Sequence, residues 1–202
     1  MPWYLVIGVA SWPVVRLLFR LQARGIERLP PSGGFVLACN HISNLDPWAI
    51  GLPLWPKRRL RWMAKAELFK PGLSTMLWRG GAFPVRRGMG DVDAIRTAIR
   101  VVKDGDVLVM FPEGTRRAKG LRKKHEARPH SGAARIAIAA KAPLVPAAVA
   151  GTERISRLGP LRVAYGPPIP LDDLRGLGSA RAAEIATERL MKKINELEAS
   201  LR

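Results

Sequence analysis

A chain of 202 residues is long enough for one domain with a full core, and 48% apolar residues at near-zero mean hydropathy exclude a disordered chain and a polytopic membrane protein. A single cysteine, Cys39, excludes an internal disulfide framework and points to a reducing compartment. The net charge of +18, from 24 arginines and 10 lysines against 16 acidic residues, exceeds what solubility needs and draws polyanions: nucleic acid, an anionic membrane face or phosphorylated small molecules.

The first apolar stretch runs from Trp3 to Phe19, interrupted by Pro13. Its thirteen uncharged residues before Arg16 fall short of the roughly 20 that a spanning helix needs. The positive charge follows the apolar run instead of preceding it, which is the wrong order for a secretory signal. Trp3, Tyr4, Trp12 and Phe19 together with Arg16, Arg20 and Arg24 suit an amphipathic helix lying in the headgroup layer, with the arginines on one face. Residues 1–24 are therefore expected to form an interfacial helical segment, and residues 25–202 a single domain.

After a turn-rich connection through Pro30-Pro31-Ser32-Gly33-Gly34, short apolar runs alternate with helical patterns. Phe35–Cys39, Leu60–Ala64, Ala82–Val85, Val107–Phe111, Leu144–Val149 and Arg162–Tyr165 read as strands. Val92, Ile95, Ile99 and Val102 carry helical spacing, with Asp91 as N-cap and Gly105 as stop. Ser131–Lys141 reads as an alanine-rich helix closed by Pro143, and Ile185, Leu190, Ile194, Leu197 and Leu201 mark a C-terminal amphipathic helix. Strands alternating with helices predict an α/β fold with a mostly parallel central sheet flanked by helices.

Three segments carry chemistry. In Asn40-His41-Ile42-Ser43-Asn44-Leu45-Asp46 a histidine and a carboxylate stand five apart at a strand end, followed by Pro47. With Asp46 as N-cap and Pro47 at the first helical position, the chain can fold back and bring the carboxylate to one ring nitrogen of His41. The other nitrogen stays free to take a proton from a substrate, as a general base does. Cys39, two residues before His41, offers a rival covalent nucleophile; a buried structural cysteine at a strand end is the common alternative.

Phe111-Pro112-Glu113-Gly114-Thr115-Arg116-Arg117 also leaves a strand. Gly114 allows close backbone approach, Thr115 offers a hydroxyl, and the two arginines offer forks for phosphate. Glu113 would hold an arginine in place or accept a hydrogen bond from a hydroxyl of the substrate. Gly81–Gly88 is a third short run, ending in Arg86, Arg87 and a glycine. If the three leave the sheet on one edge, a base faces several arginines, as suits deprotonating a hydroxyl on a phosphorylated alcohol. His125 and His130 make no ligand spacing with His41, and no metal is required.

In this order the blocks resemble the glycerolipid acyltransferases of the 1-acylglycerol-3-phosphate (lysophosphatidic acid) type. Asn40–Asp46 matches their N-H-x-x-x-x-D block, Gly81–Arg87 the second, Phe111–Arg116 the F-P-E-G-T-R block, and Val145–Gly151 the fourth. The resemblance implies His41 as base and Asp46 as its orienter. It implies Arg87, Glu113, Gly114, Thr115 and Arg116 around the substrate phosphate, with Asn40 and Lys65 as oxyanion or substrate contacts. The fourth block offers no acid–base side chain and would line the pocket.

The expected partners are an anionic membrane surface, lysophosphatidic acid or glycerol 3-phosphate, and a thioester of coenzyme A or acyl carrier protein as co-substrate. No cofactor and no nucleic acid are expected, and the expected location is monotopic, on the cytoplasmic face of a membrane. Two rivals remain at this point: a non-catalytic membrane- or nucleic-acid-binding module, and a thioesterase using His41 on water or Cys39 as nucleophile.

Overall fold

The computed structural model describes residues 2–86, 91–114 and 129–201. Along the chain lie α1 (Pro2–Pro13), β1 (Gln22–Arg24), β2 (Phe35–Cys39), α2 (Asp46–Gly51), β3 (Leu60–Lys65), α3 (Leu73–Arg79) and β4 (Ala82–Val85). There follow α4 (Val92–Lys103), β5 (Val107–Met110), α5 (Gly132–Ala140), β6 (Leu144–Ala150), β7 (Arg162–Tyr165) and α6 (Ser179–Ala199). The strands form one seven-stranded sheet in the order β1-β7-β6-β2-β5-β3-β4. β6, β2, β5, β3 and β4 run parallel, whereas β7 is antiparallel to β6 and carries β1 beside it. The fold is thus α/β with a mostly parallel sheet, as expected.

Every residue of β2 is buried, because helices cover both faces of its part of the sheet. Val36 and Ala38 point into a core shared with α4, α5 and α6. Phe35, Leu37 and Cys39 point into a second core, shared with α2 and with Val15 and Phe19 of the N-terminal segment. α3 caps the same side, where the Trp62 ring lies against its C-terminal glycine, Gly80.

The helix α4 is capped as expected: the Asp91 carboxylate accepts from the Ala94 N–H at 3.0 Å, and Gly105 follows the end at φ +90. Of the four residues with helical spacing, Val102 is buried and Ile99 packs against the core, whereas the other two face outward. Ala94, Ala98, Val101 and Val102 are buried, while Val92 and Ile95 are exposed. Small residues win the inward positions because α5 and α6 also pack through alanines (Ala133, Ala134, Ala137, Ala182, Ala183, Ala186), and such faces approach closely.

The N-terminal segment also differs. Helix persists only to Leu18, as five π-helical residues after Pro13, and Arg20 then takes a left-handed φ of 44. Arg24, expected on a helical face with Arg16 and Arg20, lies instead in edge strand β1, paired with Ala164. The physical cause is on the inner side. Val15 and Phe19 are drawn into the second core, Phe19 meets Trp48 edge-on, and the Leu161 N–H donates to the Phe19 carbonyl at 3.0 Å. That anchoring turns the chain onto the sheet before a further helical turn can form. Among the described residues no helix is long and apolar enough to cross a membrane.

Candidate active site

Because five strands run parallel, the segments that follow them emerge on one edge: Asn40-His41 from β2, Ala66 from β3, Arg86 from β4, Phe111 from β5 and Gly151-Thr152 from β6. β2 and β5 are neighbours, yet β2 continues into α2 on one face and β5 leads to α5 on the other. Adjacent strands whose connections part in this way open a crevice at their carboxyl ends, where ligands of such sheets bind. His41 and Phe111 stand at that point, with their rings stacked 4.1 Å apart and 20° from parallel.

His41 Nδ1 lies 2.8 Å from Asp46 Oδ2. A carboxylate only accepts, so Nδ1 carries a proton, and in the neutral ring Nε2 keeps its lone pair. The Asp46 side chain is fully buried and that of His41 is 12% exposed, which leaves the imidazole within reach of a substrate and its partner sealed off. Oδ2 of Asp46 also accepts the N–H groups of Ile42 and Ser43, each at 2.8 Å, and Oδ1 accepts the Thr152 hydroxyl at 2.5 Å. Four donors on one carboxylate compensate its burial and fix its plane.

Asp46 was expected at the N-cap of α2 but lies one place further in. Leu45 is the N-cap, its carbonyl accepting from Trp48 and Ala49 at 3.1 and 3.0 Å, and Pro47 takes the second helical position. The carboxylate is thereby freed from the first turn of its own helix and closes the preceding turn at His41–Ser43 instead.

Asn40 was expected to face oxyanion or substrate. It is fully buried, its amide donating to the Val149 carbonyl at 3.0 Å and accepting from the Val149 N–H at 2.9 Å. Both ends of the amide thus tie β2 to β6, because a side chain at this strand end points between strands and not out of the edge.

The Cys39 thiol donates to the Asn40 side-chain oxygen at 3.2 Å, and His41 is not its partner. Complete burial foremost, then the carboxylates of Asp46, Glu113 and Glu198, pushes this thiol well above its ordinary range, against a smaller opposing pull from the Asn40 backbone. A neutral, buried thiol is a poor nucleophile, which removes the covalent reading.

Glu113 is buried in the turn after β5. Gly114 adopts φ +70, and a Cβ there would meet the His130 ring at 2.4 Å. His130 is exposed, as expected of a loop histidine, but its N–H donates to the Pro112 carbonyl at 2.8 Å and its ring covers this turn. The left-handed φ is what favours glycine at 114, since the exposed His130 side chain can swing aside.

Lys65 ends β3 on the same edge and is exposed. Arg86 is exposed beyond β4, its N–H donating to Asp91 Oδ2 at 2.9 Å. Arg87, Thr115 and Arg116 lie outside the described residues. Among the described residues no group of three or more His, Cys, Asp or Glu side chains is placed to hold a metal ion.

Thr152 is the residue that the sequence reading missed. It directly follows the fourth block, which was credited with no acid–base side chain, and no local pattern links positions 106 residues apart.

Comparison with known proteins gives the family and the fold. A family model described as Acyltransferase matches residues 20–150. The chain is 35% identical over 179 residues to 1-acyl-sn-glycerol-3-phosphate acyltransferase of Bacillus subtilis, covering 87% of this chain and 86% of that one. It is 30% identical over 166 residues to 1-acyl-sn-glycerol-3-phosphate acyltransferase alpha of Homo sapiens, covering 77% of this chain and 56% of that one. The crystal structure of the 1-acyl-sn-glycerophosphate (LPA) acyltransferase PlsC from Thermotoga maritima shares the fold, with a TM-score of 0.66 at 23% identity over 96% of this chain and 79% of that one.

Proposed function

Since the chain belongs to the acyltransferase family, we propose that it moves a fatty acyl chain from a thioester to the free hydroxyl of 1-acylglycerol 3-phosphate, giving phosphatidic acid. The observation that carries this reading is the His41–Asp46 pair, bonded at 2.8 Å at the crevice between β2 and β5. The named activity of the Bacillus subtilis relative supports the acceptor. Membership of an enzyme family sets aside the non-catalytic binding module, and the buried Cys39 argues against a covalent thioesterase.

In the reaction, Nε2 of His41 removes the hydroxyl proton as the oxygen attacks the thioester carbonyl. The tetrahedral intermediate collapses, the C–S bond breaks, and the departing thiolate takes the proton back from His41. Lys65 and backbone amides at the strand ends are the donors available to the oxyanion. Arg87, Glu113, Thr115 and Arg116 are the groups proposed around the acceptor phosphate, with the Gly114 backbone beside them. Coenzyme A and acyl carrier protein both suit the basic surface as thiol carriers. Glycerol 3-phosphate itself is the second acceptor in line, because the same phosphate contacts would serve it.

Thiol release from a long-chain acyl thioester tests the transferase reading. Release is expected only when 1-acylglycerol 3-phosphate is added, with phosphatidic acid as product by mass; release that ignores the acceptor would make the protein a thioesterase.

We further propose that one side of the molecule meets an anionic membrane on its cytoplasmic face, without crossing it. Leu17 (78% exposed), Leu18, Val9 and Val14 point outward from the N-terminal segment, while Leu73, Met76 (60% exposed) and Trp78 point outward from α3, which caps the same side of the sheet. Arg16, Lys65, Lys70 and Arg79 border these residues along the chain and suit anionic headgroups. Burying one leucine is worth about 1.5–3 kcal/mol. Leu17→Glu is therefore expected to lower binding to phosphatidylglycerol-containing vesicles by about tenfold or more in a flotation assay. Unchanged binding would remove this face from the proposal.

A further inference from the structure

The end of β6 holds the base in place from the far side of β2. Thr152 is buried, and its hydroxyl donates to Asp46 Oδ1 at 2.5 Å, the short range of a bond to a charged acceptor. Oδ2 is already occupied by His41 and two backbone N–H groups, so Thr152 is the sole side chain outside the His41–Asp46 turn that grips this carboxylate among the described residues.

The local backbone is shaped to deliver that hydroxyl. Gly151 takes φ +94, and a Cβ there would come within 2.5 Å of the Pro160 carbonyl oxygen. Its N–H is held by Glu153 Oε2 at 3.1 Å. Two residues earlier, both polar groups of Val149 are held by the Asn40 amide. The ends of β2 and β6 are thus pinned twice, through Asn40 to Val149 and through Asp46 to Thr152.

We propose that Thr152 is a positioning residue for catalysis, acting through Asp46 to set the orientation of the His41 ring. The inference rests on the reading of His41 as general base. It also gives the residue that directly follows the fourth block a task, since that segment supplies no acid or base but its end fixes the partner of one. Partners that orient a metal-bound histidine typically contribute 10–100-fold, and the same kind of orienting contact sets the scale here. Thr152 acts one bond further away, so about tenfold is expected.

The test compares Thr152→Val, Thr152→Ser and Thr152→Ala with His41→Ala, measuring kcat, KM for the acceptor and melting temperature. Valine keeps the shape and removes the hydroxyl. Serine and alanine both lack the methyl group and differ in the hydroxyl alone, so their comparison holds even where the valine variant folds poorly. Expected are a kcat about tenfold lower in Thr152→Val and Thr152→Ala, an unchanged KM, and near-complete recovery in Thr152→Ser. A merely structural role would separate serine from alanine in melting temperature and leave kcat of the folded variants equal. If Thr152→Ala turns over as fast as Thr152→Ser while His41→Ala is inactive, the inference is wrong and the base reading stands. If His41→Ala keeps its turnover, both fall.

Discussion

His41→Ala is expected to lower turnover by about 10²–10⁴-fold, the usual contribution of a positioned general base. The substitution removes the sole nitrogen that the pair leaves open to a substrate, because Nδ1 is committed to Asp46. It also removes the stack on Phe111, and an aromatic pair is worth about 0.5–1.5 kcal/mol. It also takes one of four donors from the buried Asp46 carboxylate, a bond to a charged group worth about 1.5–3 kcal/mol. Against a typical domain stability of about 5–15 kcal/mol, the variant should be destabilised yet folded. Acceptor-dependent thiol release, together with a thermal melt, checks both halves. A folded variant with more than a tenth of wild-type turnover would show that the acceptor hydroxyl is deprotonated by another group.

Much of this site is legible in the sequence, and for a definite reason. The histidine and its carboxylate are five residues apart, so one turn suffices to join them, and strand ends announce themselves as apolar runs. That the blocks share an edge also follows once the strands are taken as parallel. What escapes a sequence reading is the partner list. Thr152 reaches Asp46 only because β6 lies beside β2, and Asn40 is spent on Val149 for the same reason. Neighbour relations in a sheet are set by topology, on which local pattern is silent.

The other differences have the same origin. Val92 and Ile95 promised an inward face for α4, but the alanines of α5 and α6 accept a closer, smaller face. β1 carries Gln22-Ala23-Arg24, all exposed, and its strand character comes from pairing with β7 and not from its own composition. Phe19, which suited a membrane helix on paper, is buried in the core together with Val15. The apolar residues left outside, Leu17 and Leu18 foremost, are those on which the membrane proposal depends.

Asp46→Asn separates the two ways in which the carboxylate could serve His41. The amide keeps one acceptor and turns the other into a donor, and two placements compete. With the NH₂ group towards His41, three donors (Nδ1–H and the Ile42 and Ser43 N–H groups) would face a donor, leaving buried groups unpaired at about 1–3 kcal/mol each. With the NH₂ group towards Thr152, a hydroxyl rotates and accepts, and every bond is kept. The second placement wins by several kcal/mol. The His41 ring then keeps its orientation and its tautomer, and only the negative charge behind the forming imidazolium is lost. Hydrogen bonds to charged groups are worth about 1.5–3 kcal/mol, so the charge loss lowers kcat by about 10²-fold at the upper end of that range, roughly 1.4 kcal/mol corresponding to a factor of ten. Where an asparagine instead inverts the tautomer of a catalytic histidine, the loss is on the order of 10⁴. Steady-state kinetics of the folded variant decides. A loss near 10² supports a carboxylate held between His41 and Thr152, and a loss near 10⁴ would mean that the Thr152 hydroxyl does not turn to accept.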